Sequence, residues 1–116
     1  MDVYHIWCDL QTGVRDTEFV RAVHEFLGAL RKAGKISAYR ILRKKLGLAP
    51  TGIGDFHIMI EVQDLAALDA AFRSVARRAD PVESQHFAVN SLVQNLQFAL
   101  YRDFPDAVRE EGSEKF

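Results

Sequence analysis

The chain predicts an α+β domain in which one four-stranded antiparallel sheet carries its helices on a single face. Three observations lead there. Patterns of period two and patterns of helical spacing follow one another in the order strand, helix, strand, strand, helix, strand. The 116 residues are too few for two independent cores. The two cleanest strands, moreover, each split into an aliphatic row and a second row of different character.

The first strand is DVYHIWCDL, residues 2 to 10, marked by its alternation and its aromatic and β-branched content. QTGVRD connects it to a helix that Asp16 or Thr17 is placed to cap, with an apolar stripe through Phe19, Val20, Val23, Phe26, Leu27 and Leu30. Gly34 suits the left-handed position that ends many helices. ISAYRILRKKL, 36 to 46, reads as a second strand, and Arg40 with Arg43 through Lys45 marks it as an edge. GLAPTGIG, 47 to 54, is a turn region leading into the third strand, DFHIMIEV, 55 to 62. Asp64 caps a second helix with Leu65, Leu68, Phe72, Val75 and Ala76 on one face, and its pattern ends before Pro81. SQHFAVNSLV, about 84 to 93, reads as a short helix, and LQFALYR, 96 to 102, as the last strand. Residues 1 to 106 are therefore expected to form a single domain, with a charged tail, 107 to 116, that frays.

Short connections and right-handed crossovers leave few assemblies for this order. The simplest is a ferredoxin-like βαββαβ domain with spatial order 4-1-3-2, strands one and three being antiparallel neighbours at its centre. Tyr4, Ile6, Cys8 and Leu10, with Phe56, Ile58, Ile60 and Val62, then meet the helices. His5, Trp7, Asp9, His57, Met59 and Glu61 share the other face. A register with Trp7 opposite Met59 sets His5 beside Glu61 and Asp9 beside His57; a slip of two residues exchanges the partners but keeps the face. On strand two, Tyr39, Ile41 and Arg43 compete with Ala38, Arg40 and Leu42 for the inward side. The second face is too rich in Trp, Met and His to lie bare in water, and too polar for a dry core. A homodimer whose open faces meet around a cavity is the expected solution.

Composition narrows the function classes. Apolar content of 48% with 27% charged residues is that of a globular protein, and a net charge of −1 supplies no field for nucleic acid or an anionic membrane. The single cysteine, Cys8, excludes an internal disulfide and a Cys-rich zinc site and fits a reducing compartment. No apolar run reaches membrane-spanning length, and the first strand starts beside Met1, leaving no room for a signal peptide. The expectation is a cytoplasmic protein.

The segments DVYHIWCDL, KLGLAPTGIGDFHIMIEV, RADPVE, AVNSLV and FALYRDFPD together resemble a small uncharacterised bacterial family of the dimeric α+β barrel group. The resemblance runs from Asp2 to Asp106 and implies the ferredoxin-like fold and dimerisation. It brings no settled activity, since the wider group includes cofactor-independent monooxygenases, haem-degrading enzymes, chlorite dismutases and muconolactone isomerases.

Each candidate group has a plain structural counterpart. His5 and His57 share a face with Asp9 and Glu61, all metal-ligand types, yet no HxH or HExxH spacing is present and cross-strand hydrogen bonds are the commoner outcome; no metal is expected. Trp7, Tyr39 and Met59 would wall a pocket for a flat or acyl ligand, or pack against the partner. His86 and Asn90 lie four apart on the short helix and would orient a ligand or hold a proton near neutral pH, or cap a nearby loop. Cys8 falls on the helix-facing row as an inert buried thiol. GLAPTGIG lacks the ending of a phosphate-cradling loop, and DFHIMIEV lacks the stacking aromatics of an RNA-binding strand. An arginine such as Arg43 could still pair a ligand carboxylate.

The resulting expectation is a homodimer without cofactor, nucleic acid or membrane partner, binding a small apolar or amphipathic molecule, fatty-acid-like or aromatic, in the barrel interior. Trp7, Tyr39, Met59, His57, Asn90 and Arg43 would line that site. Two alternatives stand beside it: a cofactor-independent monooxygenase or isomerase with His5, His57 or His86 as base, and a structural dimer with a filled interior.

Overall fold

The computed structural model describes residues 1–106; the tail expected to fray lies outside the described residues. The elements are β1 (Asp2–Leu10), α1 (Asp16–Lys32), β2 (Ala38–Arg43), β3 (Phe56–Val62), α2 (Leu65–Ala76), α3 (Val82–Asn90) and β4 (Val93–Arg102). All pairings are antiparallel, in the order β2-β3-β1-β4. This is the ferredoxin-like arrangement, with β1 and β3 central.

Local chemistry sets most boundaries. Arg15, not Asp16, holds the extended position before α1, and no side chain caps it. Asp16 and Glu18 instead sit in the first turn, with Arg31 and Lys32 in the last, each sign opposing the nearer end of the helix dipole. Gly34 closes the helix at φ +73°, while its N–H donates to Arg31 O at 3.0 Å and that of Lys35 to Leu30 O at 2.9 Å. Asp64 caps α2 as expected, its carboxylate accepting from Ala67 N–H at 2.8 Å.

Two boundaries near the C-terminus differ from expectation. The short helix starts and ends earlier, at Val82 and Asn90, and β4 begins at Val93. Val93 pairs with Leu10 and is buried, but the register shifts between Trp7 and Asp9, where Asn95 takes φ +55°. The bulge breaks the period of two, so the start of the strand is hidden from a pattern search. β2 is likewise shorter than 36 to 46, its pairing with β3 running from Ala38 opposite Glu61 to Arg43 opposite Phe56 before Leu46 and Gly47 turn through positive φ.

Strands β1 and β3 pair with Trp7 opposite His57, His5 opposite Met59 and Val3 opposite Glu61. The expected partners are thus wrong by a two-residue slip, whereas the expected face is kept. β2 resolves its ambiguity through pairing: Tyr39, Ile41 and Arg43 stand opposite Ile60, Ile58 and Phe56 and so face the helices, leaving Ala38, Arg40 and Leu42 on the open side. The core lies between sheet and helices, centred on Phe19, Val23, Val62 and Cys8, with Leu27, Phe56 and Ile58 around them. Asp2 is buried at its edge, where Arg102 Nε donates to its carboxylate at 2.6 Å and holds it below the usual range. Gly54 lies against the β1 backbone so tightly that an added Cβ would meet the Cys8 carbonyl carbon and oxygen at 2.5 Å. Among the described residues no helix is long and apolar enough to cross a membrane.

Candidate functional site

The open face of the sheet gathers the imidazoles. The register sets His5 diagonal to His57, and His5 Nδ1 lies 2.8 Å from His57 Nε2, so one ring donates to the other. Trp7 stacks on both, with centroids 4.6 Å from His57 and 5.5 Å from His5, and Tyr101 of β4 meets His5 edge-on at 4.9 Å. Burial holds both histidines below 6.5, and the charge of His5 adds to the effect on His57. The pair accepts one proton with the contact intact, since an imidazolium donates to a neutral ring; a second proton would leave two donors facing each other. Met59 and Glu61 complete this row on β3. Asp9 is not beside His57: its carboxylate accepts from Asp55 N–H at 2.9 Å and Asn95 Nδ2 at 3.2 Å, which lower its pKa.

Tyr39 and Arg43 do not join that cluster. The Tyr39 hydroxyl hydrogen-bonds His24 Nδ1 of α1 at 2.7 Å, and Arg43 donates to Asp16 at 3.0 Å while lying over the Phe56 ring. Both face α1, on the far side of the sheet from Trp7, His57 and Met59.

A partly enclosed apolar space lies on the helical side. A cavity of about 520 Å³ opens between α1, α2, α3 and strands β3, β1 and β4 of the sheet. Its floor is Tyr4, Ile6, Ile60 and Phe98; its walls are Phe26, Leu27 and Leu30 of α1 and Leu68, Ala71 and Phe72 of α2. Besides the Tyr4 hydroxyl, its polar lining residues lie near α3, namely Arg78, Glu83, His86 and Asn90. Tyr4 stacks on Phe98 and meets Phe72 edge-on, and burial pushes its phenol up, so it stays a neutral hydroxyl. The space exists because α3 is short and has no fully buried residue, so β4 is left half covered. Phe98 and Leu100 face the helices yet remain 57% and 51% exposed.

His86 and Asn90 therefore line a cavity, and share it with neither His5 nor His57. Sequence reasoning missed Tyr4, Phe72 and Phe98 as lining residues. Each lies in an apolar row that reads as core, and only the uncovered β4 shows that the row is not filled. Cys8 is buried at 1% exposure, and burial, with the Asp9 charge, pushes its thiol up to about 11.

All 116 residues match the model of a family of unknown function, DUF6614, and the chain belongs to that family. No curated protein matches the sequence. Among solved structures, At3g17210 from Arabidopsis thaliana is similar at a TM-score of 0.72 and 6% identity, over 93% of this chain and 100% of that one. A dimeric ferredoxin-like protein of unknown function from Jannaschia sp. CCS1 is similar at a TM-score of 0.65 and 10% identity, over 89% and 100% of the two chains. SnoaB from Streptomyces nogalater, a cofactor-independent oxygenase, is similar at a TM-score of 0.58 and 11% identity, over 90% and 95%. At these identities the likeness concerns the fold.

Proposed function

We propose that this protein is a homodimer that binds a small apolar or amphipathic molecule in the cavity between its helices and its sheet. The observation that carries the reading is the 520 Å³ cavity itself, mostly apolar over its floor and walls, with its charged, imidazole and amide groups beside α3. Sites for small organic ligands have this size and composition, with a few polar groups fixing orientation. The location differs from the barrel interior expected above. Dimerisation is supported by the stacked His5–Trp7–His57 cluster on the uncovered face and by the dimeric neighbour of like fold. In this reading Trp7, His57 and Met59 pack against the second copy, and His86 with Asn90 holds the polar end of the ligand.

A second reading, catalysis without a bound cofactor, draws on two observations. His86 lines the cavity with an imidazole that can take up a proton from a ligand, and the oxygenase from Streptomyces nogalater shares the fold. His5 and His57, bonded to each other on the opposite face, are not placed for it.

Native mass spectrometry of the purified protein, with fluorescence titration by N-phenyl-1-naphthylamine, tests the proposal. Expected are a dimer and a saturable fluorescence rise that Ala71→Trp, filling the cavity, removes while the dimer persists. A monomer at micromolar concentration refutes the assembly. A probe that binds Ala71→Trp and the parent equally well refutes the site.

A further inference from the structure

We infer that the ligand of this cavity is a straight-chain amphiphile whose tail runs past Phe26 and His86 into a second, apolar chamber ending at Cys8; the inference rests on the cavity being the binding site. The second chamber measures about 150 Å³ and is bounded by Cys8, Phe19, Val23, Ile58, Val89 and Val93. It adjoins the larger one: Ile6, Phe26, Ile60, His86, Asn90 and Phe98 line both. Phe26 of α1 and His86 of α3 face each other at the junction, with ring centroids 5.4 Å apart.

The two chambers are arranged end to end. Along β1 the floor passes from Tyr4 through Ile6 to Cys8, and along α1 the wall passes from Leu30 through Leu27 and Val23 to Phe19. Eleven helical residues at 1.5 Å each span roughly 16 Å. The polarity is graded in the same direction. Arg78 and Glu83 line only the larger chamber, His86 and Asn90 stand at the junction, and the far chamber has no charged lining residue. Its thiol, pushed up to about 11, is neutral as well.

Shape separates a chain from a ring. Tyr4, Phe72 and Phe87 line the larger chamber alone, whereas the smaller adds to the shared Phe26, His86 and Phe98 mostly aliphatic side chains, Val23, Ile58, Val89, Val93 and Leu96. Its own aromatic, Phe19, is already packed on Phe56 at 4.9 Å. A polar head therefore belongs among Arg78, His86 and Asn90, and a slender tail beyond the neck.

The test is displacement of N-phenyl-1-naphthylamine from the dimer by a homologous series of straight-chain carboxylates. Affinity should rise about fourfold per methylene while the tail is entering the chamber, then level off when it reaches Cys8. Leu96→Trp and Val89→Phe, which both shorten the chamber, should bring the plateau to shorter chains and leave the shortest acids unaffected. Should one variant fail to fold, the other and the parent series still decide. A flat series, a plateau that neither variant moves, or tighter binding of phenyl-terminated acids of equal carbon number would overturn the inference. Each of these leaves the cavity reading standing so long as the probe binds and Ala71→Trp abolishes it; failure of the probe itself sinks both.

Discussion

Alkylation of Cys8 measures how firmly the sheet and helices close over the inner end of the cavity. At about pH 8, a thiol of pKa 9.0 is roughly 9% thiolate and one at about 11 is roughly 0.1%, a ratio of about ninety. The more basic thiolate is the better nucleophile, by about six- to tenfold for a difference of two pKa units, which leaves roughly a tenfold slowing from titration alone. Burial adds to it: with 1% of its surface exposed, the sulfur is reached only by way of the narrow inner chamber or by local opening of the structure. Together the two effects predict that iodoacetamide modifies Cys8 about a hundredfold or more slowly in the folded protein than in urea. Intact-mass spectrometry against time gives both rates. Equal rates, or a difference of only a few fold, would mean that Cys8 is wet, and the closed end of the inner chamber would be lost with it.

Other perturbations report on the frame that holds the site. Gly54→Ala should destabilise by about 1–3 kcal/mol in guanidinium unfolding, because β1 is pinned by β3 and β4 and cannot retreat from a Cβ at 2.5 Å; an unchanged midpoint would contradict that packing. Gly28→Ala should do the reverse, gaining about 0.5–1 kcal/mol, since its Cβ meets only the Tyr39 hydroxyl at an ordinary 3.6 Å within a helix. Acid should weaken the fold through His5 and His57. Both lie below 6.5 when folded, so their contribution is complete above 6.5 and falls away below it, as the unfolded chain takes protons first. Guanidinium midpoints on either side of 6.5 should show the drop, and His57→Gln should reduce it; an identical drop in the variant would remove the pair as its cause. Asp64→Ala should cost about 1 kcal/mol through loss of the bond to Ala67 N–H, read from the thermal midpoint.

Order of elements, sheet order and the two faces of β1 and β3 were legible because each rests on short-range information. Alternation assigns Tyr4, Ile6 and Cys8 to one side and His5, Trp7 to the other whatever strand lies beside them. Asp64 and Gly34 announce helix ends through their own hydrogen bonds and dihedrals. Register was not legible, since a two-residue slip preserves every face and changes only partners; pairing Trp7 with His57 is what brings the two imidazoles into contact. The side on which Tyr39 and Arg43 fall was also a matter of pairing, fixed by Ile60 and Phe56 across the ladder. The cavity lay furthest from sequence. Tyr4, Phe72 and Phe98 belong to apolar rows that look like core, and whether such a row is filled depends on how far α3 reaches across β4. Periodicity determines which way a side chain points, whereas the space in front of it is decided by elements distant in the chain, so the face was written in the sequence and the cavity only in the tertiary structure.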